Sequence, residues 1–195
     1  MKNDTVYIVS SFHRSGSSMM MRCLEAGGLE AYFDPFLDTA WNLIYGNSDY
    51  TPNPNGFYHT DDEQTDWPSF HSDHKGKVVK VFRRDLHILR PGAYKVVFMT
   101  RNPDEVRASM RAFSPNTTWG HMEVATHFYD QIKDATLEAL RKRPDMEILE
   151  VNYGDVIADP VKQFEKIRDF GIPIDPEKAA AMVDSSLHRF RLERV

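Results

Sequence analysis

The stretch from Val6 to Gly28, VYIVSSFHRSGSSMMMRCLEAGG, limits what this chain can become more than any other. Val6, Tyr7, Ile8 and Val9 are apolar and β-prone with no polar alternation, the pattern of a parallel strand covered on both faces. A loop of small and hydroxyl residues, Ser10 to Ser18, follows, and then a helical run from about Met19 to Ala26 that Gly27 and Gly28 stop. A strand that feeds a helix through such a loop aims unsatisfied backbone N–H groups and the positive end of the helix dipole at one spot. Gly16 lets the backbone approach a ligand, Ser15, Ser17 and Ser18 add hydroxyls, and Arg14 adds a permanent charge on a planar fork. The stretch therefore reads as a cradle for a phosphate-type anion, against the plainer alternative of a serine-rich turn with an N-cap. The ATPase pattern G-x-x-x-x-G-K-[ST] is absent, because Ser11 stands where it needs Gly and Ser17 where it needs Lys.

A chain of 195 residues suits one domain, 1–195, with helices on both faces of a sheet. Its net charge of −5 argues against general nucleic-acid binding, so an anionic ligand must meet a local basic cluster. Arg14, Lys80, Arg83, Arg84 and Arg101 are the candidates. The single cysteine, Cys23, excludes an internal disulfide and a four-thiolate metal site, and its neighbours Met20, Met21 and Leu24 mark it as a buried small hydrophobe. With no apolar run long enough for a membrane span and no signal-peptide pattern, a soluble, cytoplasmic protein is expected.

Further along, Leu29 to Phe33 reads as a short strand and Pro35 to Tyr45 as a helix. Gly46 to Lys77 has no clear periodicity but carries Phe57, Tyr58 and Phe70, so it reads as an acceptor-binding or lid segment, or an irregular structural insertion. Val78 to Phe82, VVKVF, is a buried strand in which Lys80 demands a partner. Tyr94 to Thr100 is a strand ending at Arg101, and Asn102-Pro103-Asp104-Glu105 opens a helix to about Phe113. A helix over 119–141, a strand over Met146 to Val151 and two helices opened by Asp159-Pro160 and Asp175-Pro176 complete the chain. Strands alternating with helices predict an α/β fold with a central parallel sheet.

Two spaced features together carry a resemblance: F-H-R-S-G-S-S-M after the first strand, and T-R-N-P-D-E-V-R-A-S, with Arg101 followed eight residues later by Ser109. The chain resembles the sulfotransferases that use 3′-phosphoadenosine 5′-phosphosulfate (PAPS), in a short, bacterial-type form. Asn53 to Tyr58 resembles the N-P-x-G-[FY]-[FY] segment of some bacterial members, Val79-Lys80-Val81 their lysine-bearing strand, and Asn152 to Asp155 their Y-E-D stretch, all in the same order along the chain. The resemblance implies a three-layer, P-loop-like domain that moves a sulfuryl group from PAPS to an acceptor hydroxyl or amine on a small molecule or glycan. It implies no metal, with Arg14, Ser15, Gly16, Ser17, Ser18, Arg101, Ser109 and Tyr153 binding the cofactor. Arg14 and Lys80 are expected to stabilise charge in transfer.

The general base is expected at Asp34, where the bland alternative is a helix N-cap, or at His59, which stands where bacterial relatives carry Glu. His13 reads as positional. Gly154 replaces the Y-E-D glutamate, and the C-terminal G-x-x-G-x-x-K loop of the cytosolic animal enzymes is missing, its role absent or supplied by Arg189 or Arg191. The competing readings are a P-loop nucleotide kinase and a non-catalytic phosphonucleotide-binding module.

Overall fold

Among the described residues, five strands form one sheet in which every strand points the same way. β1 (Thr5–Ser11), β2 (Glu30–Tyr32), β3 (Lys77–Lys80), β4 (Ala93–Thr100) and β5 (Met146–Asn152) lie in the order β2-β3-β1-β4-β5, each neighbouring pair parallel. The computed structural model describes residues 4–45, 51, 53–60, 68–113 and 127–191. β1 is central: Val9 sits opposite Lys80 of β3 on one side and Val97 of β4 on the other.

The two-residue period of a strand sorts the core into two faces. Tyr7, Val9, Val97 and Met99 pack with α1 (Ser17–Ala26) and the C-terminal helices α6 (Tyr153–Ala158), α7 (Pro160–Asp169) and α8 (Pro176–Ala180). Val6, Ile8, Val96 and Phe98 pack with Phe70 of the short α3 (Phe70–Asp73), with Leu86 and Leu89, and with α5 (Tyr129–Arg141). Val6, Ile8, Val9, Val96 and Val97 are fully buried, which explains why these runs lack polar alternation. Each such side chain contributes about 1.5–3 kcal/mol by leaving water. The fold is a three-layer α/β sandwich with a central parallel sheet.

From β1 the chain runs to the edge strand β2, returns through β3 and then crosses past β1 to β4. This reversal opens a crevice beyond the carboxyl end of β1, where ligands of open parallel sheets bind. α2 (Pro35–Tyr45) follows β2, and α4 (Pro103–Phe113) follows β4.

The differences from the sequence reading are local. β3 stops at Lys80, two residues before Phe82; the Val81 N–H still donates to the Val9 carbonyl (3.1 Å), and a 3-10 turn over Arg83–Asp85 follows. Within 119–141 the structure describes a helix from Tyr129, and 119–126 lie outside the described residues. α6 was not anticipated, although Asn152 caps it by accepting from the Gly154 N–H. Of the irregular segment 46–77, residues 46–50, 52 and 61–67 also lie outside the described residues. No helix among the described residues is long and apolar enough to cross a membrane.

Candidate functional site

The sheet's carboxyl ends open into a cleft of about 380 Å³. Among the described residues its lining includes Arg14, Arg22, Lys80, Arg84 and Arg101 and, of the Asp and Glu residues, only Asp184. The described residues of a chain of net charge −5 thus bring five cations and one carboxylate to this concavity. This is the local basic cluster that an anionic ligand requires. Arg83 departs from the expected set: its guanidinium lies over the Phe12 ring at 4.7 Å and donates to Thr136 (3.4 Å), on the α5 side of the sheet.

The loop after β1 is shaped by two left-handed residues, Gly16 (φ 93°) and Arg14 (φ 62°). A Cβ at Gly16 would lie 2.4 Å from the Tyr153 ring, so glycine is needed there for space as well as for backbone angle. For Arg14 the conformation costs about 1–3 kcal/mol, and its carbonyl is held by the Arg101 Nη1 (3.2 Å). α1 begins at Ser17 with no side chain capping it, and Gly16, Ser17 and Ser18 line the cleft. Ser15 is instead fully buried and is not part of the lining.

Arg101 reaches the same place from the end of β4, only 8% exposed. Its Nε donates to Glu105 (2.9 Å), its guanidinium stacks on Tyr153 at 4.5 Å, and its Nη2 is buried with no partner among the described residues. Buried polar atoms are nearly always paired, so an orphaned guanidinium nitrogen on a cleft wall fits an anionic ligand. Ser109, two helical turns into α4, accepts from the Arg14 Nε at 3.1 Å. The expected convergence of Arg101 and Ser109 therefore runs through Arg14, whose guanidinium also lies 5.0 Å above the Phe113 ring.

Lys80 ends β3 at 5% exposure, and its ammonium donates to the Phe57 carbonyl. The Ser18 hydroxyl donates to that same oxygen (3.0 Å), so one carbonyl gathers the strand lysine and a cradle serine. Phe57 belongs to a strap, residues 53–60, that Asp38 of α2 fixes. The Asp38 carboxylate accepts from the N–H groups of Phe57 and His59, both at 2.8 Å. Gly56 has φ 93°, and a Cβ there would meet Asp38 Oδ2 at 2.7 Å. The sequence reading missed Asp38, a helix residue whose partners lie in another segment. Asn53 brings the strap to Arg14 through a 3.5 Å contact, and Tyr58 ties it to α1 by donating to Glu25 (2.6 Å).

Beyond Lys80 the wall is made of rings. His13 stacks on Phe82 (4.7 Å), while His59 stacks on Trp41 (4.9 Å) and lies 5.7 Å from both Phe57 and Phe82. Burial, with Lys80 next in weight, pushes His13 down to about 4 and His59 down to about 3, so both rings are neutral at pH 7. Asp34 is not among the lining residues. Its carboxylate accepts from the N–H groups of Phe36 (2.8 Å) and Leu37 (3.4 Å), the geometry of an N-cap on α2. Cys23 is fully buried, its thiol pushed up to about 12 by burial.

The C-terminal segment closes the cleft with Met182, Asp184 and Leu187. Arg189 donates to the Thr51 carbonyl (3.0 Å), and His188 pairs with Glu105 through Nε2 (2.8 Å). Neither Arg189 nor Arg191 is part of the lining.

No curated protein matches the chain. Among solved structures, retinol dehydratase in complex with androsterone and the inactive cofactor PAP aligns over 93% of this chain and 64% of its own, at 17% identity and a TM-score of 0.47. An unliganded sugar kinase from Janibacter sp. aligns over 88% of this chain and 96% of its own, at 18% identity and a TM-score of 0.44. The chain thus spans less than two thirds of the length of retinol dehydratase. Residues 84–176 match the sulfotransferase family, and Arg101, Glu105, Ser109 and Tyr153 all fall inside that stretch. That stretch is just under half of the chain, and over it the sequence is similar to the sulfotransferase family.

Proposed function

We propose that the chain transfers a sulfuryl group from PAPS to an acceptor hydroxyl or amine. One observation carries the reading: Arg14 and Arg101, from different strand ends, meet with Ser109 beside the uncapped start of α1, and a buried Arg101 nitrogen is left without a partner. In this reading Arg101, Arg14 and Ser109 hold the 3′-phosphate. Gly16, Ser17 and Ser18 offer the α1 N-terminus to the phosphosulfate, and Tyr153 walls the nucleotide. Buried Ser15 supports the loop from beneath.

PAPS supplies the activated sulfuryl group. An acceptor oxygen attacks sulfur in line, the bond from sulfur to the phosphate oxygen breaks, and the electron pair leaves on 3′-phosphoadenosine 5′-phosphate. Lys80 neutralises that leaving oxygen after giving up the Phe57 carbonyl, a role worth about 3–4 kcal/mol when a donor is well placed. The acceptor proton needs a base. Asp34, occupied as a helix cap, is a poor candidate, and His59 takes the role here because it lines the cleft on the ring side of Lys80. At rest burial, with Lys80 second, holds His59 down to about 3; an anion beside Lys80 offsets the second of these and moves the imidazole upward, in the direction a base needs.

Calorimetric titration with 3′-phosphoadenosine 5′-phosphate and with magnesium ATP, followed by a turnover assay with PAPS and a panel of acceptors, tests the proposal. Preference for the 3′-phosphorylated nucleotide and turnover with PAPS are expected, with Asp34→Asn active and His59→Gln impaired. A preference for ATP overturns it in favour of a kinase. Tight binding of the 3′-phosphorylated nucleotide without turnover makes the chain a binding module.

A further inference from the structure

A buried charge network at the cleft includes a residue from far along the chain. Arg101 Nε donates to Glu105 Oε2 at 2.9 Å, and His188 Nε2 bonds the same oxygen at 2.8 Å. The side chains of Arg101, Glu105 and His188 are 7%, 9% and 9% exposed, so water does little to screen the chain of contacts. Tyr153 joins it from both sides, under the Arg101 guanidinium at 4.5 Å and edge-on to His188 at 5.1 Å.

This arrangement sets the direction of the Arg101 fork. With Nε taken by Glu105 and Nη1 by the Arg14 carbonyl, the guanidinium plane is fixed and Nη2 is the nitrogen left for a ligand. Glu105 can orient Arg101 only if it is itself held. Its place in the first turn of α4 fixes its backbone, and His188 fixes its carboxylate. The turn that precedes His188 is capped by Asp184, which accepts from the Ser186 N–H at 2.9 Å, and Arg189 ties the segment to a distant one by donating to the Thr51 carbonyl at 3.0 Å.

We infer that Glu105 and His188 are positioning residues that set Arg101 for the 3′-phosphate, so that the C-terminal segment confers selectivity for a 3′-phosphorylated nucleotide without touching it. The inference rests on the phosphate site of the preceding subsection. It gives the C-terminus a different task from the one expected of Arg189 or Arg191, that of orienting an existing arginine.

The test is calorimetric titration of the full chain with 3′-phosphoadenosine 5′-phosphate and with adenosine 5′-monophosphate, which lacks only the 3′-phosphate. Wild type should prefer the first. His188→Ala should lower affinity for the 3′-phosphorylated nucleotide about tenfold and leave the monophosphate within about twofold, the loss of one charge-assisted contact felt through Arg101. His188→Gln, whose amide nitrogen can stand in for Nε2, should restore most of the preference. If wild type binds both nucleotides equally, the phosphate site itself is refuted and this inference with it. If wild type discriminates and His188→Ala keeps the same ratio, or loses both ligands equally, the positioning role alone is overturned. A fall in melting temperature with an unchanged ratio refutes it in the same way.

Discussion

At one end of the cleft Arg14, Arg101, Ser109 and Tyr153 arrive from four elements and are joined by hydrogen bonds and a stacked guanidinium. At the other, Trp41, Phe57, His59 and Phe82 meet ring against ring. The arginine end inherits its geometry from the sheet, because parallel register fixes where β1 and β4 stop relative to each other. The ring end inherits little of it. Its strap is held by the Asp38 carboxylate, the Phe57 carbonyl and the Tyr58 hydroxyl. Such a division lets the strap vary with the molecule recognised while the anion site stays constant.

Lys80 sits at the border of the two ends, and its removal is the largest expected break in the comparison. Lys80→Ala should lower kcat and kcat/KM together by about a hundredfold or more, since a leaving-group contact matters chiefly in the transition state. A rise in KM alone would place Lys80 with the strap and not with the chemistry. Asp38→Ala comes next. It strips the N–H groups of Phe57 and His59 of their acceptor, at a cost of about 1–3 kcal/mol for each one left buried. Denaturant titration should show lower stability, and kinetics should show acceptor KM rising more than cofactor KM. The reverse order would mean that the strap serves the arginine end.

The smallest effect sharpens the ring end. His13 and His59 are held down to about 4 and about 3 when folded, against about 6.5 in an unfolded chain. Below pH 6.5 the unfolded chain therefore takes up protons that the folded one refuses, so their contribution to stability is intact above that pH and is lost as pH falls toward about 4 for His13 and about 3 for His59. Melting temperatures of wild type should decline more steeply over that window than those of the His13→Gln, His59→Gln double variant. Parallel curves would show that both rings are solvated.

What the sequence reveals follows from how far each residue's partners lie along the chain. The strand and helix of the first loop, the cap at Asn102 and the two-turn spacing of Ser109 depend on neighbours within a few positions, and periodicity displays them. The core lysine in VVKVF also announces itself, because an ammonium in an apolar run needs an acceptor. Asp38, Glu105 and His188 give no such sign. In α2 and α4 the two acids look like ordinary first-turn carboxylates that complement a helix dipole, and only the tertiary contacts show what they hold. Asp34 shows the opposite difficulty: its position before Pro35 suits a base or a cap equally, and the bonds to Phe36 and Leu37 match the cap.

The fit of Tyr153 against Gly16 has a bearing on how the chain acquires its site. Gly16 lies just beyond the first strand and Tyr153 just after the last, so the floor of the cleft is complete only when the two ends of the sheet-forming sequence are in register. Non-local closures of this kind are reached late, because the intervening loop entropy must be lost before the contact forms. During synthesis, a nascent chain that has released β1 through β4 already carries Arg14, Lys80 and Arg101, yet lacks the ring that stacks on one and backs the turn beside another. The wall formed by Gly16 and Tyr153 is thus completed only after the last strand has formed, and the segment carrying Met182, Asp184 and Leu187 closes the cleft later still.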